Sequence, residues 1–222
     1  MESFDFSSLL DIMLTLVASL VCITLHELSH GYVAWKLGDN TAKNAGRLTL
    51  NPFKHIDLVG FIMMLVLKIG WAKPVPVNFN NLNKPKRDMA ITAFAGPLSN
   101  VIITVICLFL YGALLIPFSA NGVGLYFLKL FERTAYMSLG FAVFNMLPFP
   151  PLDGSKLMYS VLKDEHYAKV MDYEGYGSVI LIILTLTGFL GTLVAVVRQL
   201  LYNDLMPVAQ WAYETVAYLF YI

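Results

Sequence analysis

The feature that most constrains the fold is an apolar run, Ile12 to Leu25, that leads directly into His26. As an α-helix this run would rise about 21 Å, whereas the hydrocarbon core of a bilayer is about 30 Å thick. His26 and the residues just after it are therefore predicted to lie within the membrane. Ionisable side chains at that depth are costly, and they are usually functional.

The five residues that begin at His26 form a metal-binding pattern, His26-Glu27-Leu28-Ser29-His30. On a helix that turns about 100° per residue, the two histidines point about 40° apart and lie one turn from each other, so both imidazoles can reach one metal ion. Glu27 lies about 60° from His30, where a carboxylate can contact a water at the metal without binding the metal itself. The alternative is that these residues form a polar helix end by chance. The location of the motif at membrane depth disfavours this alternative.

Hydrophobic residues make up 58% of the 222 residues and charged residues only 14%, which predicts an integral membrane protein. The formal net charge is zero, and no block of Lys and Arg points to nucleic acid as a partner. Cys22 and Cys107 lie within apolar runs, so they are expected to be packing residues and not a disulfide. The N-terminus has no basic region or cleavage pattern, so the first helix is expected to remain in the mature protein.

Several apolar runs predict further membrane segments. We expect an all-α polytopic membrane protein, a bundle of about five to six transmembrane or re-entrant helices with short membrane-associated β-strands near the active site. The bundle is expected to form one domain, 1–222, with its core in residues 8–164 and C-terminal helices in 176–222. The runs are Leu58 to Leu67, which is short enough to be re-entrant, Met89 to Pro117, Tyr126 to Asn145, Tyr176 to Val197, and Leu205 to Ile222, which is either interfacial or a span.

Proline and glycine residues are expected to interrupt two of these apolar runs. Gly96-Pro97 is expected to break the second long run, and the prolines at 148–151 to end the third. The carbonyl groups freed at both places would line a polar cavity that lets water reach the metal.

The distribution of basic residues sets the orientation. Residues 1–11 contain acids but no Lys or Arg, whereas the loop from Gly38 to Asp57 contains Lys43, Arg47 and Lys54. The positive-inside rule therefore places the N-terminus outside and the histidine motif toward the cytoplasmic face of the plasma membrane.

Two segments, Gly46 to Pro52 and Trp71 to Asn78, have an extended character because proline and β-branched residues oppose helix formation. They are predicted to form short strands near the membrane surface. Our hypothesis is that one of them, Arg47 to Leu50 or Val75 to Phe79, offers an edge on which an unwound peptide can be held by β-addition.

A catalytic zinc ion needs three protein ligands and one open position, so the two histidines need a partner. Asp153 stands out because it follows an apolar helix and a proline break that exposes backbone polar groups at membrane depth. From the residues alone, the choice between Asp153 and five other side chains stays open. These are His55, Asp57, Glu132, Glu165 and Glu174, all in more polar surroundings.

Three motifs follow one another at a characteristic spacing: His26-Glu27-Leu28-Ser29-His30-Gly31, Ala95-Gly96-Pro97-Leu98-Ser99-Asn100, and Asn145-Met146-Leu147-Pro148-Phe149-Pro150-Pro151-Leu152-Asp153-Gly154. In this order they resemble the site-2 protease family of intramembrane zinc proteases, in its short bacterial and archaeal form. The connecting segments 51–57 and 70–78 resemble that form too, and the likeness covers roughly residues 20–160. It implies His26, His30 and Asp153 as ligands of one Zn²⁺ per chain, with Glu27 as the general base.

The resemblance also implies that Asn100 and Asn145 contact the substrate or its polarised carbonyl, with helix–helix hydrogen bonding as the alternative. His55 matches a family position, but a capping or interfacial role is expected for it. Unlike longer members, this chain has no room for a PDZ or CBS domain, and it has Leu58 where many relatives have proline.

The function implied by the resemblance is zinc-dependent cleavage of peptide bonds within or near transmembrane segments, with single-pass membrane proteins or remnant signal peptides as substrates. One rival is a membrane zinc transporter or metal sensor, in which Glu27→Gln would be tolerated. A second rival is a membrane metallopeptidase that acts on soluble substrates and uses Glu132 or Glu174 as its third ligand.

Overall fold

The computed structural model describes residues 6–60, 72–120, 122–160, 162 and 174–221. These residues form helices and loops, and no β-strand occurs among them, so the expected all-α class is confirmed for this part of the chain. The helices are α1 (Phe6–Lys36), α2 (Thr41–Asn44), the 3-10 helices Pro52–Lys54 and Phe79–Asn81, α3 (Pro85–Ser119), α4 (Gly122–Asn145), α5 (Asp153–Ser160), α6 (Glu174–Leu186) and α7 (Phe189–Tyr221).

Two helices in the described part of the chain are long and apolar enough to cross a membrane, Leu9–Lys36 within α1 and all of α3. A third span is present if α6 and α7, which meet at a bend of 78°, are counted as one. Helix α4 carries Lys129, Glu132 and Arg133 near its middle, which makes it less apolar. The expected five to six spans are therefore not reached among the described residues.

Helix α3 lies at the centre of the fold and packs against α1, α4, α5 and α7. Its contact with α7 is close, because a Cβ atom at Gly112 would lie 2.0 Å from the carbonyl oxygen of Ala209. Small residues allow such approach between helix backbones in membrane proteins. The buried residues around this crossing are Ile103, Cys107, Leu108, Ala135 and Ala209.

The predicted break at Gly96-Pro97 is wrong, because α3 continues through Pro97 without interruption. Proline is tolerated inside membrane helices where neighbouring elements satisfy the backbone. The effect of Gly96 is instead to let α1 approach α3, as described below for the two histidines. The break expected at the later prolines is confirmed, since α4 ends at Asn145.

The boundary between the last two predicted segments is also different. Helix α6 ends at Leu186, Gly188 adopts a φ of +76°, and α7 then runs from Phe189 without a break at Arg198. The Arg198 guanidinium lies over the Tyr136 ring of α4, 3.8 Å from its centroid. The sequence predicts one segment that ends at Val197 and another that begins at Leu205, whereas the structure has a single helix across this boundary.

The predicted strands are reduced to one isolated antiparallel bridge, Ile56 with Ala72. Pro74 and Pro76 lack N–H groups, so the second segment cannot form a continuous ladder. Residues 58–60 of the predicted re-entrant run are helical, and Gly60 N donates to Asp57 Oδ1 at 2.8 Å. The remainder of that run lies outside the described residues.

Candidate metal centre

Three ligand atoms from distant parts of the chain meet beside α1. Nε2 of His26 and Nε2 of His30 lie 3.1 Å apart, and Oδ2 of Asp153 lies 3.2 Å from the first and 3.0 Å from the second. All three side chains are buried, with 7–8% of each residue exposed. No other group of three possible ligands occurs in the described part of the chain.

The donor set fits a zinc ion. Zn²⁺ binds histidine nitrogen and carboxylate oxygen at about 2.0–2.2 Å, so adjacent ligand atoms of a tetrahedral site lie about 3.3 Å apart. The three observed separations of 3.0–3.2 Å are close to that value. Two imidazoles and one carboxylate leave a fourth position open, which is the composition of a catalytic site.

Hydrogen bonds behind the histidines turn their Nε2 atoms toward this site. Nδ1 of His30 lies 2.7 Å from the carbonyl oxygen of Thr92, so Nδ1 carries the hydrogen and donates it. Nδ1 of His26 lies 3.2 Å from the side-chain amide of Asn100. Partners of this kind fix the tautomer and orientation of metal-binding histidines.

Two glycines allow the three elements to converge. A Cβ atom at Gly96 would lie 2.3 Å from Nε2 of His30 and 2.7 Å from Cε1 of His26, so only glycine leaves room for both rings. A Cβ atom at Gly154 would lie 2.3 Å from the carbonyl oxygen of Met146. Gly154 therefore lets the start of α5 pack on the chain just after α4, and Asp153 enters the site as the first residue of α5.

Asp153 is ionised in this arrangement. Burial raises the pKa of its carboxyl group, but hydrogen bonds and charge interactions with His26 and His30 outweigh that effect and hold the pKa well below its usual range. A low pKa keeps the carboxyl group ionised near neutral pH, and the ionised form is the one that binds a metal.

Glu27 lies in the same cavity, which has a volume of about 290 Å³. Its Oε2 accepts a hydrogen bond from Val75 N at 2.7 Å. The cavity is also lined by Asn145, whose Nδ2 donates to the carbonyl oxygen of Phe141 at 3.0 Å, and by Lys156, whose Nζ lies 3.8 Å from Oδ1 of Asp153.

The two asparagines occupy different places. Asn145 faces the cavity, where a substrate would lie. Asn100 is fully buried behind His26, and its Oδ1 has no hydrogen-bond partner within the described part of the chain. Turning the amide would place Oδ1 against Nδ1–H of His26, because the two ends of an amide have the same shape.

None of the competing candidates for the third ligand that lie in the described part of the chain is found at this centre. Nε2 of His55 donates to the carbonyl oxygen of Thr49 at 2.9 Å, in line with the expected capping role. Asp57 caps residues 58–60, and Glu132 is exposed on α4. Glu165 and the side chain of Glu174 lie outside the part of the chain that the structure describes.

Sequence reasoning missed Thr92 and Lys156 as neighbours of the site, and it missed the hydrogen bond from Val75 N to Glu27. Thr92 acts through its backbone carbonyl, which no side-chain pattern reveals. A signal for Val75 was present, since it carries the one backbone N–H between Pro74 and Pro76. Lys156 follows Asp153 by three residues, so a helical start at Asp153 would have placed both on one face.

Comparisons with known proteins show which proteins this chain is similar to. The model of the family described as peptidase family M50 matches residues 112–187, a stretch that includes Asn145 and Asp153. "Putative zinc metalloprotease YwhC" of Bacillus subtilis is 38% identical, over 77% of this chain and 79% of the relative. "Putative zinc metalloprotease Rip2" of Mycolicibacterium smegmatis is 29% identical over 78% and 67%, and "Putative zinc metalloprotease MJ0611" of Methanocaldococcus jannaschii is 31% identical over 70% and 74%. No solved structure matches the chain.

Proposed function

Since this chain belongs to peptidase family M50, the site-2 protease family, and is a zinc metalloprotease, we propose that it cleaves peptide bonds within or near transmembrane segments of other membrane proteins. The observation that carries the proposal is the position of the three ligand atoms. They lie within 4.8 Å of one another, and two of them belong to α1, a helix apolar enough to span the membrane. A hydrolytic centre at that depth is reached most directly by a substrate in the bilayer.

His26, His30 and Asp153 would hold one zinc ion per chain. When bound, the ion supplies a Lewis acid that polarises the peptide carbonyl and lowers the pKa of water toward about 7. Glu27 accepts a proton from the attacking water and delivers it to the leaving nitrogen, because its carboxylate faces the same cavity. Asn145 lines the cavity and offers its side-chain amide to the substrate, and Asn100 orients the His26 ring.

A helical substrate keeps its amides in internal hydrogen bonds, so it must unwind before cleavage. Arg47, in the first of the two extended segments, donates hydrogen bonds to the carbonyl groups of Lys73 and Pro74 in the second. We therefore propose Val75 to Phe79 as the edge that holds the unwound peptide. Pro74, Val75 and Val77 line the cavity, which supports this choice. The substrate class proposed is single-pass membrane proteins, including remnant signal peptides.

The basic residues support an active site on the cytoplasmic side of the plasma membrane, with the N-terminus of α1 outside. Helix α1 ends and α3 begins at the face where the metal centre lies. The chain between these two helices and the first turns of α3 are rich in basic residues, as cytoplasmic segments are. Those residues, which follow Lys36 at the end of α1, are Lys43, Arg47, Lys54, Lys68, Lys73, Lys84, Lys86 and Arg87.

The deciding experiment compares wild type with Glu27→Gln in detergent. Zinc per chain and cleavage of a panel of single-span substrates are measured on both proteins. We expect about one zinc in each and cleavage by wild type alone, because Glu27 acts on the proton and does not bind the metal. Cleavage that survives in Glu27→Gln would contradict the mechanism. Zinc in both proteins without cleavage in either would favour a transporter or sensor.

A further inference from the structure

The backbone that contacts Glu27 is fixed at both ends. At one end, Lys73 N donates to the carbonyl oxygen of His55 at 3.0 Å. At the other end, Asn78 N donates to Oδ2 of Asp39 at 2.6 Å. Val75 lies between these two anchors and donates its N–H to Oε2 of Glu27. The position of the Glu27 carboxylate therefore depends on where this segment is held.

The sequence leaves one backbone donor at this point. Pro74 and Pro76 have no N–H, so the Val75 amide is the one backbone N–H available across three residues. The flanking prolines also fix φ on both sides, which limits the directions in which that N–H can point. The segment thus presents a single oriented donor to Glu27.

Arg47 holds the carbonyl groups just before that donor. Its Nη2 donates to the carbonyl oxygen of Lys73 at 2.7 Å, and its Nη1 donates to that of Pro74 at 3.2 Å. The residue is buried, with 7% exposed, and no carboxylate in the described part of the chain pairs with it. A buried guanidinium without an acidic partner is a poor source of stability. Its planar fork is instead suited to holding two successive carbonyl oxygens, which one ammonium cannot match.

We infer that Arg47 is a positioning residue for Glu27, and that it acts through the backbone of Lys73, Pro74 and Val75. The inference rests on the proposed function, because it assigns Glu27 the role of base. Arg47 does not touch the metal ligands or line the cavity. Arg47 sets the position and direction of the Val75 N–H, and this N–H holds the Glu27 carboxylate toward the reacting water.

The first test measures amide exchange of Val75 and is independent of activity. Valine-¹⁵N-labelled protein in detergent is followed by NMR, and the Val75 signal is identified by its loss in Val75→Ile. We expect Arg47→Gln and Arg47→Lys to speed Val75 exchange at least about tenfold, because the amide is released from its partner. Glu27→Leu should do the same. Wild-type exchange in any of these three variants would overturn the inference.

Arg133→Gln is the matched control. Arg133 also joins two segments, since Nη1 donates to Thr15 Oγ1 at 2.9 Å and Nη2 to Asp11 Oδ1 at 3.1 Å, but it lies away from the metal centre. This variant should leave Val75 exchange unchanged even if it lowers the melting temperature. Equal acceleration in Arg133→Gln would mean general loosening and would overturn the inference.

The second test uses kinetics with a cleaved single-span substrate. Arg47→Lys should lower kcat by up to about 100-fold, the cost of misplacing a catalytic group by about 1 Å, while KM and zinc per chain stay unchanged. A rise in KM at constant kcat, or zinc loss in proportion to activity, would contradict a positioning role. If wild type cleaves nothing, the proposed function fails, and Val75 exchange still decides whether Arg47 positions Glu27.

Discussion

Nε2 of His30 lies 3.0 Å from Oδ2 of Asp153, although 123 positions separate the two residues in the chain. The first belongs to α1 and the second begins α5, and both helices pack on α3. The ligand set is therefore a product of the tertiary fold. Removing one member tests the site more sharply than removing any structural contact.

Asp153→Ala should reduce zinc per chain and abolish cleavage. Loss of a partner behind a ligand already costs 10- to 100-fold in metal affinity, so loss of the ligand itself should cost at least about 100-fold. Zinc is measured by atomic absorption after dialysis against a weak chelator. Glu132→Ala and Glu174→Ala are the controls and should retain zinc. Zinc retained in Asp153→Ala and lost in either control would identify a glutamate as the third ligand.

Gly96→Ala should destroy the metal centre, although alanine favours a helix by about 1 kcal/mol. Its Cβ would lie 2.3 Å from Nε2 of His30, and this neighbour cannot move without leaving the site. We expect loss of zinc and of cleavage, while the total helix content measured by circular dichroism stays unchanged.

Gly191→Ala is the matched control for that substitution. Gly191 lies within α7, and a Cβ there would meet no atom within 4 Å. We expect unchanged zinc and cleavage with stability raised by about 0.5–1 kcal/mol. A Gly96→Ala protein that keeps its zinc would show that α1 and α3 can separate at this crossing.

Much of the centre could be predicted from the sequence because it depends on local geometry. The spacing of His26, Glu27 and His30 places them on one side of any helix, whatever the rest of the chain does. Asp153 is different, since nothing in the sequence around it indicates that its side chain meets the histidines of α1. Its assignment depended on a resemblance, and the structure brings its carboxylate to the two imidazoles.

The features that could not be predicted depend on contacts between elements. Helix α7 continues through Arg198, whose guanidinium lies over the ring of Tyr136 on another helix. Helix α3 continues through Pro97, where the sequence alone favours a break. The segment around Val75 remains extended without pairing into a sheet, because its prolines remove the donors that a ladder needs.

Asp39 should make stability depend on pH under acidic conditions. Burial raises the pKa of its carboxyl group, but hydrogen bonds from Thr41, Asn78 and Asn81 outweigh burial and lower the pKa below its ordinary value. The stabilisation is thus fully present above the unfolded-state pKa of about 3.9 and is lost as the pH falls through the lower folded-state value.

The measurement is the melting temperature of wild type and Asp39→Asn at a series of pH values. The difference between them should be constant near neutral pH and should shrink below about pH 4. Asp204→Asn, at an exposed position on α7, serves as the matched control and should follow wild type. A difference that grows as the pH falls would contradict the assigned direction of the shift.

Val77→Pro should impair cleavage of helical substrates if residues 75–79 form the edge that receives the unwound peptide. Val75 N is engaged by Glu27, and Pro74 and Pro76 have no N–H, so Val77 is the next backbone donor along the cavity wall. Proline at 77 removes that donor and leaves Val75 in place. We expect a higher KM for a single-span substrate with zinc per chain unchanged.

Leu48→Pro separates the two candidate edges. Leu48 lies in the other extended segment, where its Cδ2 would be 2.9 Å from a Cβ at Gly31, so it packs against α1 and not along the cavity. If the 75–79 edge is used, Leu48→Pro should raise KM less than Val77→Pro among proteins that retain zinc. The reverse order would move the edge to residues 47–50. Unchanged cleavage of a helical substrate by both variants would remove β-addition from the mechanism, because neither segment would then lend a donor to the substrate backbone.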